Sequence, residues 1–353
     1  MKKLLSGNVI LLMCIMGSCS KSGNSPVIPV VDKTIPKVVL NKTSIIADGY
    51  DECMITIVDS ATNADITSKC SVTVGGVFTT TPTSFSTTIV GTLQVTAKYK
   101  TKNTTPVNLV TTDKGPSKYT QKVLVEDYTG SWCGYCPKVA NALASVNSSN
   151  ANVLIAAVHN ADPMSYVNEA SMRSKYGVSG WPTAMVNRSY EWNDVPSSLT
   201  NLTTRWAPVG LAIESAISGN TISGKVKVEY NVSTRYASNI TIMLLEDGKV
   251  YPQTNYYNTT TGSPLFGMGN PIPNFVHDNI LRIAATDIFG DDIPTSIQVK
   301  GAVYEKTFSF NATGYNLSKC KVLAFASWKD GIVGKKGVIN AQVVKAGQNK
   351  NYD

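Results

Sequence analysis

Along most of the chain, apolar and polar residues alternate with a period of two, the pattern of strands with one face in a core and the other in water. Cys53, Ile55 and Ile57, then Val72 and Val74, then Leu93, Val95 and Ala97 set that rhythm between residues 37 and 111. Thr, Gly and Asn punctuate the runs, and no helical window survives there. The alternation returns at Val209 and runs through Ile222, Val226 and Val228, then Ile240, Ile242 and Leu244, and finally Val338 to Val344. Each block predicts a β-sandwich, the first of immunoglobulin-like type.

Residues 119–206 read differently. Short β-branched runs near Val123–Tyr128, Val153–Val158 and Thr183–Val186 alternate with helical patterns after Cys136, near residues 164–175 and near 196–204. Strands alternating with helices predict parallel pairing in an α/β unit. The segment from Thr112 to Lys118, TDKGPSK, reads as a hinge before it. The predicted order is therefore a sandwich over 37–111, an α/β unit over 119–206 and a second sandwich over 207–347. Inside the last, the connection from about Gly248 to Pro294 is long and carries Tyr251, Tyr256, Tyr257, Phe266, Phe275 and His277. Long connections of this kind often serve function, and aromatics there are candidates to touch the active-site face or a partner; packing over the sandwich edge is the alternative.

The N-terminus changes the picture of where the chain works. Residues 1–19 carry two lysines, an apolar run from Val9 to Met16 and small residues before Cys19, which predicts a secretory signal too short to span a membrane. Gly17, Ser18 and Cys19 resemble a bacterial lipobox, which makes Cys19 the lipidated first residue of the mature chain. Residues 20–36, rich in Ser, Gly, Asn and Pro, read as a tether. Export implies an oxidising compartment, where disulfides persist. Cys53 and Cys70, on strands adjacent in sequence, are then expected to pair, a bond worth roughly 3 kcal/mol by loop closure. Two buried thiols are the alternative, and Cys320 reads as buried and inert.

Net charge is +8 and only 16% of residues are charged. No basic block with interleaved aromatics appears, which argues against nucleic-acid binding. No phosphate-cradling glycine loop or serine nucleophile motif is present either.

The candidate chemistry lies in VLVEDYTGSWCGYCPK, Val123 to Lys138. A buried strand ends at Thr129–Gly130–Ser131, and Cys133 and Cys136 bracket a Gly-Tyr pair before the helix. A sulfur at a helix start meets unpaired N–H groups and the positive end of the dipole, which favours thiolate. A second Cys three residues on can resolve a mixed disulfide. Half of a zinc site is disfavoured, because the chain has no second CxxC, and a structural disulfide without turnover stays open. His159 follows another strand end, in LIAAVHNAD, and is a candidate to modulate the thiolate or simply to hold a loop.

VLVEDYTGSWCGYCP resembles the active-site segment of thioredoxin-like proteins, and YGVSGWPT, Tyr176 to Thr183, resembles the segment with their cis-proline. The whole chain is similar to the outer membrane protein 28-related lipoproteins of Bacteroidetes-type bacteria. VEDYTGSWCGYCP, the strand ending at His159, and FVHDNILR from Phe275 to Arg282 carry that likeness. The resemblance implies a thioredoxin-like central domain with Cys133 as nucleophile and Cys136 as resolving thiol. It further implies a buried acid at Asp127, or at Glu126 if the register differs by one, and a cis-Pro182. Trp132, Tyr135, Trp181 and Thr183 would join Pro182 in contacting an extended substrate. Gly-Tyr in place of the family's usual dipeptides leaves the direction of electron flow open, and Pro137 after Cys136 is tolerated because the helix has barely started.

The function expected is a lipid-anchored thiol–disulfide oxidoreductase of the bacterial envelope, outer-membrane attached and facing the periplasm. Its partners are protein thiols or disulfides, a redox partner of unknown identity, and the membrane through Cys19; no metal or other cofactor is needed. The alternative is a non-catalytic envelope scaffold with a structural CxxC disulfide.

Overall fold

The computed structural model describes residues 32–79, 84–331 and 336–353. The signal segment, Cys19 and residues 20–31 of the expected tether lie outside the described residues. The described part is β-rich and built from several sheets.

The N-terminal block is a two-sheet sandwich. One sheet holds Pro36–Leu40, Cys53–Asp59 and Ser84–Phe85; the other is built on Ser44–Ile46, Val107–Thr112, Gly91–Tyr99 and Cys70–Val74. The alternating residues Val38, Ile55, Ile57, Val72, Val74, Val95 and Leu109 meet between them in one core. Ser44–Ile46 pairs in parallel with Val107–Thr112, while the other pairs of that sheet are antiparallel.

The expected Cys53–Cys70 disulfide is corrected here: both are free thiols. The strands are neighbours in sequence but belong to different sheets. The short 3-10 turn Thr67–Lys69 carries the chain from one sheet to the other, so Cys53 and Cys70 sit in facing sheets. Cys53 is fully buried and its thiol points at the Lys42 carbonyl, 3.3 Å away.

The remainder departs from two separate domains. A nine-stranded sheet runs from the α/β segment straight into the C-terminal segment. Val123–Thr129 pairs in parallel with Val153–His159 and antiparallel with Thr183–Val186. The far edge of Val153–His159 then meets Ile280–Ala284 at Ala157 and Ile280, with Ala157 N donating to Asn279 O at 2.8 Å. Covering that edge satisfies backbone groups that would otherwise template aggregation, which is the physical reason no boundary falls at residue 206. One core accordingly contains Leu124, Leu154 and Met185 from the first part and Leu245, Leu281 and Phe325 from the second.

The opposite face of the C-terminal strands packs on a three-stranded sheet, Val209–Ser218, Thr221–Tyr230 and Val303–Asn311, to make the expected sandwich core around Ile213, Val226, Ile242 and Phe310. Cys320 is buried in it, and burial pushes its thiol up to about 11. The N-terminal sandwich is tied on by Glu52, which accepts from Arg235 Nε at 2.6 Å and from the Tyr236 hydroxyl, and by Tyr50 stacked on Trp328. Among the described residues no helix is long and apolar enough to cross a membrane.

Candidate functional site

Strand Val123–Thr129 alternates strictly. Val123 and Val125 face the helix Cys136–Ser149 with Val139 and Leu143, whereas Leu124 and Tyr128 face the core shared with the C-terminal strands. Period two therefore puts Asp127 beneath the helix and Glu126 on the other side. Glu126 does not reach the sulfurs and is removed from the candidate acids: Arg188 clamps it from Nη2 at 2.7 Å and from Nε at 3.0 and 3.1 Å. Asp127 lines a cavity of about 160 Å³ together with Cys136, His159, Gln253 and His277. Its Oδ1 has no hydrogen-bond partner, and burial alone pushes its carboxyl up to about 7.

Cys133 and Cys136 are joined as a disulfide. The helix begins at Cys136 with Pro137 behind it, a residue tolerated in the first turn because its missing N–H has no intrahelical acceptor. Cys133 stands one turn earlier than a strict helix-start position, in a turn closed by Cys136 N donating to Cys133 O at 3.3 Å. Both sulfur-bearing residues are buried, Cys133 being 5% exposed, while the flanking Trp132 and Tyr135 are 43% and 55% exposed.

The Trp181–Pro182 peptide is cis. Thr183, the next residue, pairs with Tyr128 at the strand end from which the Cys133 loop emerges. The Trp132 and Trp181 rings meet edge to face at 5.4 Å, so the two loops that sequence singled out are brought together. Arg173 lies over Trp181 at 4.8 Å, and Thr183 Oγ1 donates to Gly180 O at 3.0 Å.

His159 acts on the loop before the disulfide. Its Nδ1 lies 2.7 Å from Asp162 Oδ2, which also accepts from Ser131 N at 2.8 Å; an N–H on Nδ1 satisfies that carboxylate. Burial alone would raise Asp162, but hydrogen bonds from His159, Ser131 and Met164 outweigh it and hold the carboxyl below its usual value. The chain's two histidines, 118 positions apart in sequence, touch here: the His159 and His277 rings are 5.2 Å apart. Burial and the neighbouring His159 lower His277 to about 4, and its Nε2 faces the Tyr251 carbonyl at 3.2 Å. No cluster of metal-ligating side chains occurs among the described residues.

The disulfide is covered by the long connection whose aromatics the sequence offered for the active-site face; its polar contacts carried no such signal. Gln253 Nε2 donates to Cys133 O at 2.9 Å, Thr254 N to Ser131 O at 2.8 Å and Tyr256 N to Gly134 O at 3.0 Å. Tyr135 is packed by the Tyr256 and Tyr257 rings at 5.1 and 6.0 Å. The only advance signal was the density of aromatics in a long connection.

A family model described as Outer membrane protein Omp28 matches residues 169–350. Among solved structures, the chain is similar to HBP35 of Porphyromonas gingivalis, with a TM-score of 0.51 and 19% identity over 65% of this chain and 76% of that one. At that identity the likeness bears on fold alone. No curated protein matches the chain.

Proposed function

Because the chain belongs to the Omp28 outer membrane protein family, an envelope setting, we propose that it exchanges its Cys133–Cys136 disulfide with protein thiols and disulfides. The family match begins at Glu169, past the disulfide, so the redox reading rests on the site itself. The observation that carries it is Asp127: a carboxyl buried without a partner for Oδ1, in the same cavity as Cys136, with an affinity for protons matched to neutral pH. A charge buried for stability is normally paired; this one is left to titrate.

The steps balance without a cofactor. A client thiolate attacks Cys133 Sγ, forming a mixed disulfide, and Cys136 leaves as thiolate and takes the proton held by Asp127. A second client thiolate attacks the client sulfur of the mixed disulfide, releasing Cys133 and an oxidised client; the protein gains two electrons. In reverse, Asp127 accepts the Cys136 proton. The cis-Pro182 loop, joined to the Cys133 loop through Trp132 and Trp181, supports a thioredoxin-like reading of the strand–CxxC–helix unit, with Tyr135 and Thr183 at the rim. In this proposal Cys19 carries the lipid anchor and the protein faces the periplasm.

A second reading is favoured by one observation, the 5% exposure of Cys133: an envelope binding or scaffold protein whose disulfide is structural. Insulin reduction, with Cys133→Ser as control, and the reduction potential separate the two. Turnover abolished by the substitution supports exchange. No turnover together with a potential below about −300 mV overturns it. Membrane fractionation of Cys19→Ala checks the anchor, the expected result being release into the soluble fraction.

A further inference from the structure

Segment 251–275 leaves the C-terminal sandwich through the paired strands Lys249–Val250 and Val276–His277 and is pinned again where Gln253 and Ile272 exchange backbone hydrogen bonds at 3.0 and 2.8 Å. Above that pin the chain runs along the disulfide loop. Thr254 and Tyr256, two residues apart, each give a backbone N–H to it, at Ser131 O and Gly134 O, the spacing of an extended strand laid on an edge. The buried Gln253 fixes the base of the strap by donating to Cys133 O and, at 3.4 Å, to Gly130 O. The Tyr256 ring sits so close to Gly134 that a Cβ there would lie 2.4 Å from it, so glycine between the cysteines is what lets the ring settle.

We infer that residues 253–256 are a specificity-determining strap that occupies the approach to the disulfide, so that a partner reaches Cys133 only by taking the strap's place. The occupant they stand in for is an extended polypeptide that supplies N–H groups and an aromatic side chain. The closed state explains how Cys133 is almost hidden while the aromatic residues on both sides of it are open. The partner's identity rests on the exchange reaction proposed above; the covering role does not.

The test uses dithiothreitol on the oxidised, folded protein, with acid quenching and mass-spectrometric counting of alkylated Cys133 and Cys136. One dithiothreitol thiolate attacks the disulfide, its second thiol closes the ring, and two electrons and two protons pass to the protein. Tyr256→Ala, at a half-exposed ring, should accelerate reduction at least tenfold. Thr254→Pro, which removes the N–H bonded to Ser131, should do so independently, while Phe266→Ala, exposed on the same segment, should match the parent. Rates for both strap variants within twofold of the parent, with unchanged circular dichroism, would overturn the strap. Faster reduction by dithiothreitol in a protein that never reduces insulin would keep the strap and remove the exchange reading.

Discussion

Glu126 and Asp127 are adjacent on one strand and almost wholly inside the protein, yet the two faces of the sheet treat them in opposite ways. On the C-terminal face, Glu126 meets Arg188, which also donates from Nη1 to Ile288 O at 2.8 Å and lies between the Tyr176 and Phe325 rings. Burial by itself would ease the Arg188 proton off; the Glu126 charge overrides it and holds the guanidinium ionised. On the helix face, Asp127 meets no cation. The first arrangement joins the two halves of the large sheet, because Arg188 belongs to the early part and Ile288 to the late part. The second keeps a proton available under a sulfur. One residue step along a strand is enough to separate architecture from chemistry.

Breaking the first face should have the largest effect. Glu126→Gln leaves a buried guanidinium uncompensated and should cost about 3–5 kcal/mol in urea unfolding at neutral pH. Glu126→Leu with Arg188→Met should recover most of that loss, since apolar replacements of both partners are often neutral. A loss of under 1 kcal/mol for Glu126→Gln would mean the pair does not carry the junction.

The second face is sharpened by pH. The folded-state pKa of Asp127 is raised from 3.8 to about 7, so its stabilising contribution is complete below 3.8 and is lost as pH rises through 7, on the order of 4 kcal/mol in all. His277 has the opposite sign. Its folded pKa falls from 6.5 to about 4, so stability from the neutral ring is present above 6.5 and is lost as pH falls toward 4, on the order of 3 kcal/mol. The parent should therefore be nearly flat between pH 4.5 and 6.5. Asp127→Asn should become more stable as pH rises across that window, and His277→Gln less stable. Parallel pH profiles for the three proteins would contradict the assignment. Asp127→Asn should also slow the exchange at neutral pH by roughly a hundredfold if the carboxyl supplies the Cys136 proton.

How far the chain could be read without coordinates follows the range of the forces involved. The strand–turn–helix around Cys133 is written in local pattern, so Val123–Thr129 and the helix from Cys136 lie where the β-branched run and the helical pattern after Cys136 put them. The same run left Glu126 and Asp127 undecided, because a strand buried on both faces shows no alternation and hides which side carries the helix. Gln253 gave no signal at all: its partner carbonyl is 120 positions away, and nothing in Pro252–Gln253–Thr254 marks a contact with Cys133. The continuity of the nine-stranded sheet was hidden likewise, since it depends on an edge at Ala157 that any later strand could have covered.

The smallest expected effect concerns the other pair of cysteines, and it extends the contrast of faces from one sheet to two. Cys133 and Cys136 are held together by a single turn, whereas Cys53 and Cys70 have the core of a sandwich between their sheets. Cys70 is half-buried, and burial raises its thiol pKa, with Asp65 adding to the effect. Neither cysteine is an activated nucleophile on these grounds, and no redox change should link them. Cys70→Ser should therefore cost less than about 1 kcal/mol, the same in oxidising and reducing buffer, because a half-buried thiol trades for a hydroxyl without opening a cavity. A native disulfide there would instead make the substitution cost about 2–4 kcal/mol in oxidising buffer only. Alkylation of the unreduced, denatured protein followed by peptide mapping gives the same answer directly: Cys53, Cys70 and Cys320 should be modified, and Cys133 and Cys136 should not.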